Sequence, residues 1–305
     1  MKTGVDLNKS ILDLIEAEIT ANLISDLEGR RVFHGRGGCF PGCEPLNIDF
    51  FPPVAIIQLF EPLAEVESLF DLVRRLLPCE TVLLQERFKR DQSWTLMWGG
   101  PVDEMVVVEN GLRYQLQLMR NQNTGFFPDM RLGRELTSEL AQNRKVLNLF
   151  AYTCSFSVAA MKAGAESVYN LDVAKSALRT GKRNHLLNKI DDRDVHYLGY
   201  DVLKSFGTMK KKGPFGLIII DPPTHQKGRF SVEKDYARII KRLPDLLEQG
   251  GDVLACLNTP YLKSDFLKDQ FDPRFQRINH LGRPPEFKEK DPEESLKILH
   301  YRFKG

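Results

Sequence analysis

Three aspartates each close or follow a run of apolar residues that predicts a buried β-strand. They are Asp172, Asp201 and Asp221, at the ends of segments 167–172, 195–199 and 215–221. Taken singly, an aspartate after a strand is more often a helix N-cap, and Asp201 before Val202 could serve as one. Parallel strands of an α/β sheet, however, meet with their carboxyl ends at one crevice, where ligands bind. Three acids at that edge therefore predict a polar ligand site.

The turn after the first strand of this series narrows the kind of ligand. It reads Phe150-Ala151-Tyr152-Thr153-Cys154-Ser155 and contains no glycine. Dinucleotide-binding folds need G-x-G-x-x-G here so that the backbone can approach a pyrophosphate, and a phosphate loop needs G-x-x-x-x-G-K-[ST]. A nucleoside cofactor without phosphates fits better, and S-adenosylmethionine is the obvious candidate. Asp172, about 20 residues beyond the turn, would accept hydrogen bonds from its ribose hydroxyls.

Alternating strands and helices from residue 144 onward must position these residues. Apolar segments predict strands at 146–151, 167–172, 195–199, 215–221 and 252–257. Helical periods lie between them, and the longest covers 232–247. Two closing strands, 276–281 and 296–303, are expected to fold back as an antiparallel pair at the sheet edge. We therefore predict an α/β fold with a doubly wound, mostly parallel, seven-stranded Rossmann-like sheet.

The first 120 residues do not show this alternation of strands and helices. An amphipathic helix is predicted over 9–28, a glycine-rich loop over 35–45, strands around 47–51 and 54–60, a helix over 63–77, and three or four strands between 81 and 118. Strands around one helix predict a small α+β domain. We place the N-terminal helix at 1–29, the small domain at 30–120 and the sheet domain at 121–305.

Composition excludes several classes of protein. The 305 residues include 43 Lys and Arg against 41 Asp and Glu, so the chain is not a uniformly basic nucleic-acid coat. Five cysteines are too few for a disulfide scaffold, and the Cys39 and Cys43 pair has no second pair at zinc spacing, so no metal is expected. The N-terminus MKTGVDLNKS resembles no targeting signal and no apolar run could span a membrane, which predicts a soluble, cytoplasmic protein.

An ordered series of segments carries a resemblance to a known family. It consists of Thr124-Gly125-Phe126-Phe127-Pro128-Asp129-Met130-Arg131, Asn148-Leu149-Phe150-Ala151-Tyr152-Thr153, Asp172, and Asp221-Pro222-Pro223-Thr224. In this series the chain resembles the bacterial 23S ribosomal RNA methyltransferases of the class I S-adenosylmethionine-dependent type. That group includes C5-cytosine and N7-guanine enzymes of the large subunit. The resemblance is strong over 111–257, and the family's small α+β domain binds substrate.

The resemblance implies a role for each matching residue. Asp172 would hold the cofactor ribose, Asp201 would meet the adenine amino group, and Tyr152 and Thr153 would line the methionine portion. Further cofactor-binding positions are Asn148, Phe150, Ala151, Val173 and Val202. Four residues ahead of the sheet would close over the cofactor: Phe126, Phe127, Asp129 and Arg131. Of these, Asp129 would reach the ammonium group and Arg131 the carboxylate or a supporting acid, whereas simple core packing stays open for Phe126 and Phe127.

The catalytic positions implied are those beside the sulfonium and the target base. They are Asp221, Pro222, Pro223, Thr224 and Asn258. The family usually has glycine where this chain has Cys154, so a weaker cofactor affinity or a shifted turn is expected.

Loop composition bears on the acceptor atom. C5 of cytosine is not nucleophilic, so enzymes of that branch first add a cysteine thiolate to the ring. The loops 222–225 and 257–260 contain no cysteine, and we interpret Cys256 as a buried hydrophobe. This favours a guanine ring nitrogen, with Asn258, Thr224 or His225 at the base edge. The C5-cytosine reaction, a small-molecule or protein substrate, and a non-catalytic RNA-binding protein remain alternatives.

Aromatic and basic residues predict how RNA, free or in a pre-ribosomal particle, would bind. A base extruded from a helix needs a stacking partner, and Phe230 and Tyr236 are the candidates. Basic groups would meet phosphates. Those singled out are Arg36 in the glycine-rich loop, Arg87 with Lys89 and Arg90 after a strand, and Lys227 and Arg229. Lys210, Lys211 and Lys212 are more simply a solvated face, and the sequence leaves monomer and homodimer open.

Overall fold

The structure is a computed structural model that describes residues 8–25, 27–64, 66–89 and 93–305. The chain forms two compact units, which are described separately. The first comprises 1–128 together with 283–290, and the second comprises 129–282 together with 291–305. The border thus follows Pro128 rather than residue 120. Segment 283–290 joins the first unit because it bonds there: Lys288 pairs with Glu18, and the Lys290 N–H donates to the Gly37 carbonyl.

The first unit is built on a mixed sheet. Its described elements are helices α1 (Lys9–Asn22) and α2 (Val66–Leu76) and strands β1 (Arg30–His34), β2 (Leu46–Phe51), β3 (Val54–Leu59), β4 (Thr81–Glu86), β5 (Trp94–Trp98), β6 (Glu104–Glu109) and β7 (Leu112–Gln117). The sheet order is β1-β2-β3-β4-β5, with β3 and β4 parallel on either side of α2. Strands β6 and β7 form a hairpin through Asn110 and Gly111, both at positive φ.

Alternation along β2 shows how this sheet divides its two faces. Ile48 and Phe50 belong to the hydrophobic core that also contains Ile15 and Ile19 of α1. Asp49, between them in sequence, points to the opposite face, as the strand period of two requires. The first unit therefore has an apolar face under its helices and a second face that carries polar side chains.

The second unit contains the larger sheet. Its described elements are helices α3 (Arg131–Ala141), α4 (Ser155–Lys162), α5 (Lys175–Leu187), α6 (Phe206–Lys210), α7 (Val232–Ile240) and α8 (Ser264–Lys268), with strands β8 (Lys145–Leu149), β9 (Ser167–Leu171), β10 (Val195–Leu198), β11 (Phe215–Ile220), β12 (His225–Gln226), β13 (Phe230–Ser231), β14 (Leu247–Asn258), β15 (Phe275–Leu281) and β16 (Leu296–Phe303).

Strand order confirms the predicted fold class. The seven strands lie in the order β10-β9-β8-β11-β14-β16-β15, and β16 is antiparallel to both of its neighbours. In β11, Leu217 and Ile219 enter the core on one face, and Ile218 and Ile220 enter the core on the other. Strand order reverses between β8 and β11, so the carboxyl ends of these two strands open the crevice in which such folds bind ligands.

Four local features differ from the prediction. Strand β1 and helix α3 were not predicted. The helix predicted over 232–247 ends at Ile240, and β14 begins at Leu247. Pro244 explains this early end, because a proline in a helix interior removes a backbone donor and clashes with the preceding turn. The N-terminal helix likewise ends at Asn22 rather than at residue 28.

Among the described residues, no helix combines the length and the hydropathy needed to cross a membrane.

Candidate active site

The turn after β8 has an unusual backbone. Phe150, Tyr152 and Cys154 lie at φ of 59°, 46° and 61°, a region that costs a side chain-bearing residue about 1–2 kcal/mol. Hydrogen bonds hold the turn in this form. The Ala151 N–H donates to the Leu171 carbonyl at 3.1 Å, and the Cys154 N–H donates to the Ala151 carbonyl at 2.7 Å. Such strain persists where surrounding structure fixes it, and it is common at binding sites.

Asp172 ties this turn to the next helix. Its Oδ2 accepts a hydrogen bond from the Tyr152 N–H at 2.9 Å, and its Oδ1 accepts from the Ala174 N–H at 2.7 Å. Ala174 is the N-cap residue of α5. The carboxylate therefore lies beside the first turn, at the crevice, where the sequence analysis expects a ribose-binding acid.

Cys154 faces away from the crevice. Its side chain is fully buried in a cluster with Ala151 and Leu178 of α5. Burial, with Asp172 as a second cause, raises the pKa of its thiol well above the ordinary value. The Cys154 side chain packs against α5, and the weaker cofactor affinity expected from it stays a prediction.

A small pocket lies next to the turn. Its walls are largely apolar and come from Phe150, Val173, Val202, Leu203 and Phe230, with Asp201, Gln226 and Arg229 at its edge. Asp201 acts as an N-cap: its Oδ1 accepts from the Leu203 N–H at 2.9 Å. Its Oδ2 accepts no hydrogen bond from the residues that the structure describes. The pocket thus offers flat apolar surfaces and one available carboxylate oxygen.

Asp221, at the end of β11, interacts electrostatically with Asp129 and Arg134. Burial, followed by repulsion from Asp129, raises the pKa of Asp221 to about 7, while attraction from Arg134 acts in the opposite direction. Arg134 is 3% exposed. Sequence reasoning missed this arginine because it missed α3, in which Arg134 follows Arg131 by three residues. Arg131 itself lies 3.9 Å from Glu135, a supporting acid.

The loops after β11 and β14 are bonded to each other. The Thr224 hydroxyl donates to the Asn258 backbone carbonyl at 2.8 Å. The buried Lys297 donates from Nζ to the Thr259 carbonyl at 2.8 Å and to the Glu293 carbonyl at 2.7 Å. Pro222 is buried, whereas Pro223 and the Asn258 side chain are exposed. The loops predicted to hold a substrate base are therefore held in place by these hydrogen bonds, while Pro223 and the Asn258 side chain remain exposed to solvent.

Asn148 occupies a different place from the one expected. It is 1% exposed, and its amide donates to Asn170 at 2.9 Å. The chain of hydrogen bonds continues from Asn170 through Ser157 to His185. Asn148 thus belongs to the buried layer beneath the first turn, and its assignment as a cofactor-binding residue is corrected to one that supports the turn.

Phe126 and Phe127 belong to the first unit. Phe126 is 3% exposed and stacks on Tyr114 with ring centroids 4.8 Å apart, which is the core packing left open for it. Phe127 is 39% exposed.

Neither predicted base-stacking aromatic is available at the surface. Tyr236 is fully buried, and its hydroxyl donates to the Cys256 carbonyl at 3.0 Å. Phe230 is 4% exposed and packs on Phe150 with centroids 4.9 Å apart. Both assignments to RNA stacking are therefore corrected: Tyr236 is a core residue and Phe230 is a wall of the pocket.

The basic residues fall into two places. Lys227 and Arg229 are exposed in the β12–β13 hairpin of the second unit. Arg36 and Arg87 belong to the first unit. Arg90 lies outside the described residues.

Comparison with known proteins decides the family. A family model of S-adenosylmethionine-dependent methyltransferases matches residues 30–302. The chain belongs to this family. The resemblance drawn from the strand-end residues and the predicted cofactor are confirmed. The second unit is called the methyltransferase unit from here on.

Individual relatives add detail. The ribosomal RNA large subunit methyltransferase K/L of Shewanella amazonensis is 38% identical over 167 residues, which are 53% of this chain but 23% of that protein. The ribosomal RNA large subunit methyltransferase I of Aliivibrio fischeri is 27% identical over 82% of this chain and 67% of its own length. A protein assigned as a methyltransferase and crystallised with S-adenosylhomocysteine superposes with a TM-score of 0.84 at 23% identity, covering 96% of this chain and 80% of its own, and shows the shared fold.

The residues of the pocket fit the cofactor of this family. An adenine ring presents two apolar faces and an amino group, and the pocket presents apolar walls and the available oxygen of Asp201. Asp172 at the neighbouring strand end suits the ribose.

Proposed function

We propose that this chain transfers a methyl group from S-adenosylmethionine to a guanine ring nitrogen of large-subunit ribosomal RNA. The two curated relatives support the substrate class, since both carry names of ribosomal RNA large subunit methyltransferases. Two observations support a nitrogen as the methyl acceptor. A carboxylate, Asp221, lies at the end of β11, and the cysteine thiols of the methyltransferase unit are buried.

The thiols of the methyltransferase unit are poor nucleophiles. Cys154 and Cys256 are both fully buried. Burial, and then the nearby carboxylates of Asp221 and Asp129, raise the pKa of the Cys256 thiol well above its ordinary value. The thiolate, which is the attacking form, is therefore disfavoured. The addition of a cysteine to a pyrimidine ring needs an accessible thiolate, which these two cysteines do not provide. A guanine nitrogen attacks with its own lone pair and needs no enzyme nucleophile.

The bound cofactor supplies an electrophilic methyl group on a positively charged sulfur. The chain supplies position and electrostatics. Asp172 and Asp201 would hold the nucleoside portion, and Asp129 would meet the methionine ammonium. The base lies against the Pro222-Pro223 turn, with the Asn258 amide at its edge. As the base nitrogen is alkylated it gains positive charge, and ionised Asp221 stabilises that charge. Orientation of the two reactants provides much of the rate.

Methyl transfer to ribosomal RNA tests this proposal. The intact protein is incubated with tritiated S-adenosylmethionine and unmodified 23S ribosomal RNA, and the labelled nucleoside is identified by mass spectrometry. A guanosine labelled at N1 or N7 supports the proposal, whereas labelled N2-methylguanosine or 5-methylcytidine overturns the choice of acceptor. Label that enters a metabolite or protein extract but not RNA overturns the substrate. Asp221→Ala, which removes the carboxylate, is the inactive control.

A further inference from the structure

A network of charged side chains covers the polar face of the first unit. The Arg31 guanidinium donates from Nη2 to Asp49 at 3.2 Å, pairs with it again through Nε, and lies 2.7 Å from His34 Nδ1. His34 Nε2 lies 3.1 Å from Glu289, which also pairs with Arg283. Both carboxylates of this network, those of Asp49 and Glu289, are therefore engaged by these partners.

Two further arginines lie in this network, and neither has a bonded carboxylate among the described residues. The Arg36 guanidinium carbon lies 4.0 Å from the centre of the Phe60 ring, and that of Arg87 lies 5.3 Å from the same centre. Within the described residues, neither guanidinium has a hydrogen-bonded or salt-bridged carboxylate, and Arg87 Nε has no hydrogen-bond partner. Among the described residues, the positive charges of Arg36 and Arg87 are therefore not neutralised by a bonded carboxylate.

The pKa values agree with this imbalance. Burial lowers the pKa of Arg87, and the positive charges of Arg31 and Arg36 lower it further against the attraction of Asp49. Burial likewise lowers the pKa of the His34 imidazole, so His34 adds no charge at neutral pH.

The backbone that carries this site is fixed. Arg36 lies between Gly35 and Gly37, where a Cβ would lie 1.9 Å from the Cys43 carbonyl oxygen and 1.8 Å from the Lys288 carbonyl oxygen. These glycines serve close packing within the protein rather than close approach to a ligand. On the other side, the Arg87 N–H donates to the Leu59 carbonyl at 2.7 Å, one residue before Phe60.

This arrangement suits a phosphodiester. Planar guanidiniums present paired N–H groups that match phosphate oxygens, and an aromatic face keeps them in place. We propose that Arg36, Arg87 and Phe60 form a phosphodiester-binding site that holds the backbone of the RNA substrate on the first unit. The inference rests on the proposed RNA substrate and adds to it a defined anchor on the first unit.

Salt-dependent RNA binding tests the site without turnover. Unmodified 23S ribosomal RNA is bound to the intact protein at several salt concentrations by filter retention. Each phosphate contact contributes about 0.9 to the slope of log K against log salt. The R36Q/R87Q variant should lose about 2 from that slope and bind roughly tenfold or more weakly at physiological salt. F60L should weaken binding several-fold with little change of slope.

A matched variant controls for charge. K211Q/K212Q removes two positive charges from exposed lysines of the methyltransferase unit and should change the slope by clearly less than R36Q/R87Q does. Equal slopes for the two double variants overturn the proposal. Thermal unfolding and calorimetric S-adenosylmethionine affinity check folding. If R36Q/R87Q does not fold, R36K/R87K replaces it. Lysine keeps the positive charge but lacks the planar guanidinium, so this variant should bind RNA more weakly at an unchanged slope. Wild-type affinity would overturn the proposal.

The result is separable from the proposed function. If the wild type methylates 23S ribosomal RNA and R36Q/R87Q retains the wild-type slope, the anchor alone is overturned. If the slope changes as expected but no methyl group is transferred to RNA, the proposed reaction alone is overturned.

Discussion

The Cys154 side chain occupies the space that a side chain at Gly181 would need. A Cβ built on Gly181 would lie 2.4 Å from Cys154 Sγ and 2.9 Å from Cys154 Cβ. The family position that usually carries glycine thus carries a cysteine here, and a glycine in α5 makes room for it. The cysteine accepts a left-handed backbone at φ 61°, and its thiol fills the cluster under the first turn.

Gly181→Ala should destabilise the protein. Alanine ordinarily favours a helix over glycine, but here the new methyl group meets a fixed, buried sulfur atom, and overpacking of this kind costs about 1–3 kcal/mol. Because Thr153 and Cys154 must move, S-adenosylmethionine affinity should fall as well. Chemical denaturation and calorimetric titration measure the two effects.

The double variant C154G/G181A is the control for that explanation. Removing the thiol should restore most of the stability lost in G181A, with a coupling free energy of about 0.5–3 kcal/mol between the two positions. Additive effects would show that the two residues act independently.

Asp221 should give methyl transfer a pH dependence. Since its pKa is raised to about 7, the carboxylate is about half ionised at neutral pH. If the ionised form stabilises the alkylated base, kcat/KM rises with pH through about 7 and then levels. D221N should lose about 100-fold or more and give a flat profile over this range. A wild-type profile that is flat from pH 6 to 8 would contradict the assigned role.

The same pKa has a consequence for stability. The folded state holds a proton on Asp221 that the unfolded chain releases near pH 4, so stability falls as pH rises from about 4 to 7. At 1.36 kcal/mol per pH unit the upper bound of this cost is about 4 kcal/mol. D221N should therefore unfold at a higher temperature than the wild type at pH 8, with a much smaller difference at pH 4.

Strand alternation and strand-end acids made the larger sheet predictable from sequence. Apolar runs such as 215–221 can be read directly, since both faces of β11 are covered. Helix α3 was missed although the helix-start residues Pro128 and Asp129 precede it, and Arg134 was missed with it. Tyr236 was predicted to stack on a base, but it is a core residue. Its hydroxyl bonds to the carbonyls of Ile220 in β11 and Cys256 in β14, and local sequence does not show such contacts between elements. Segment 283–290 could not be assigned from local pattern, since its contacts with the first unit span more than 250 residues of chain.

Asp252 should be the main electrostatic anchor of the methyltransferase unit. It is fully buried, and it accepts hydrogen bonds from Arg144 at 2.6 Å, His300 at 2.7 Å and Arg302 at 3.0 Å. Burial acts to raise its pKa, but the bonds from His300 and Arg144 outweigh it, and the pKa is lowered. Its contribution is therefore present above about pH 4 and is lost as pH falls further.

Asp252→Asn should cost about 1.5–3 kcal/mol at pH 7, because it removes the charged acceptor of the partly exposed Arg144 and Arg302 guanidiniums. Denaturant unfolding measures the loss. Asp245→Asn, which breaks an exposed pair with Lys210, should leave stability almost unchanged. Equal effects of the two variants would show that Asp252 is no anchor.

Thr224→Val should slow methyl transfer with little loss of stability. Valine keeps the shape but removes the hydroxyl that bonds to the Asn258 carbonyl, so the two loops at the base-binding edge lose their link. We expect kcat to fall about tenfold, since small misplacements of reacting groups are costly. Thr20→Val, which removes a similar bond to the Glu16 carbonyl in α1, is the matched control and should leave kcat unchanged.

Cys256→Ala distinguishes the two kinds of acceptor most directly. If the buried thiol only fills the core, its loss creates a small cavity, costs about 1 kcal/mol of stability and leaves methyl transfer near the wild-type rate. A mechanism that adds a thiolate to cytosine would instead lose activity altogether, because no substitute nucleophile lies at the loops after β11 and β14. Single-turnover transfer to 23S ribosomal RNA, compared with C154A, separates these outcomes. Retained activity in both variants, together with the pH dependence of Asp221, assigns the reaction to a base nitrogen.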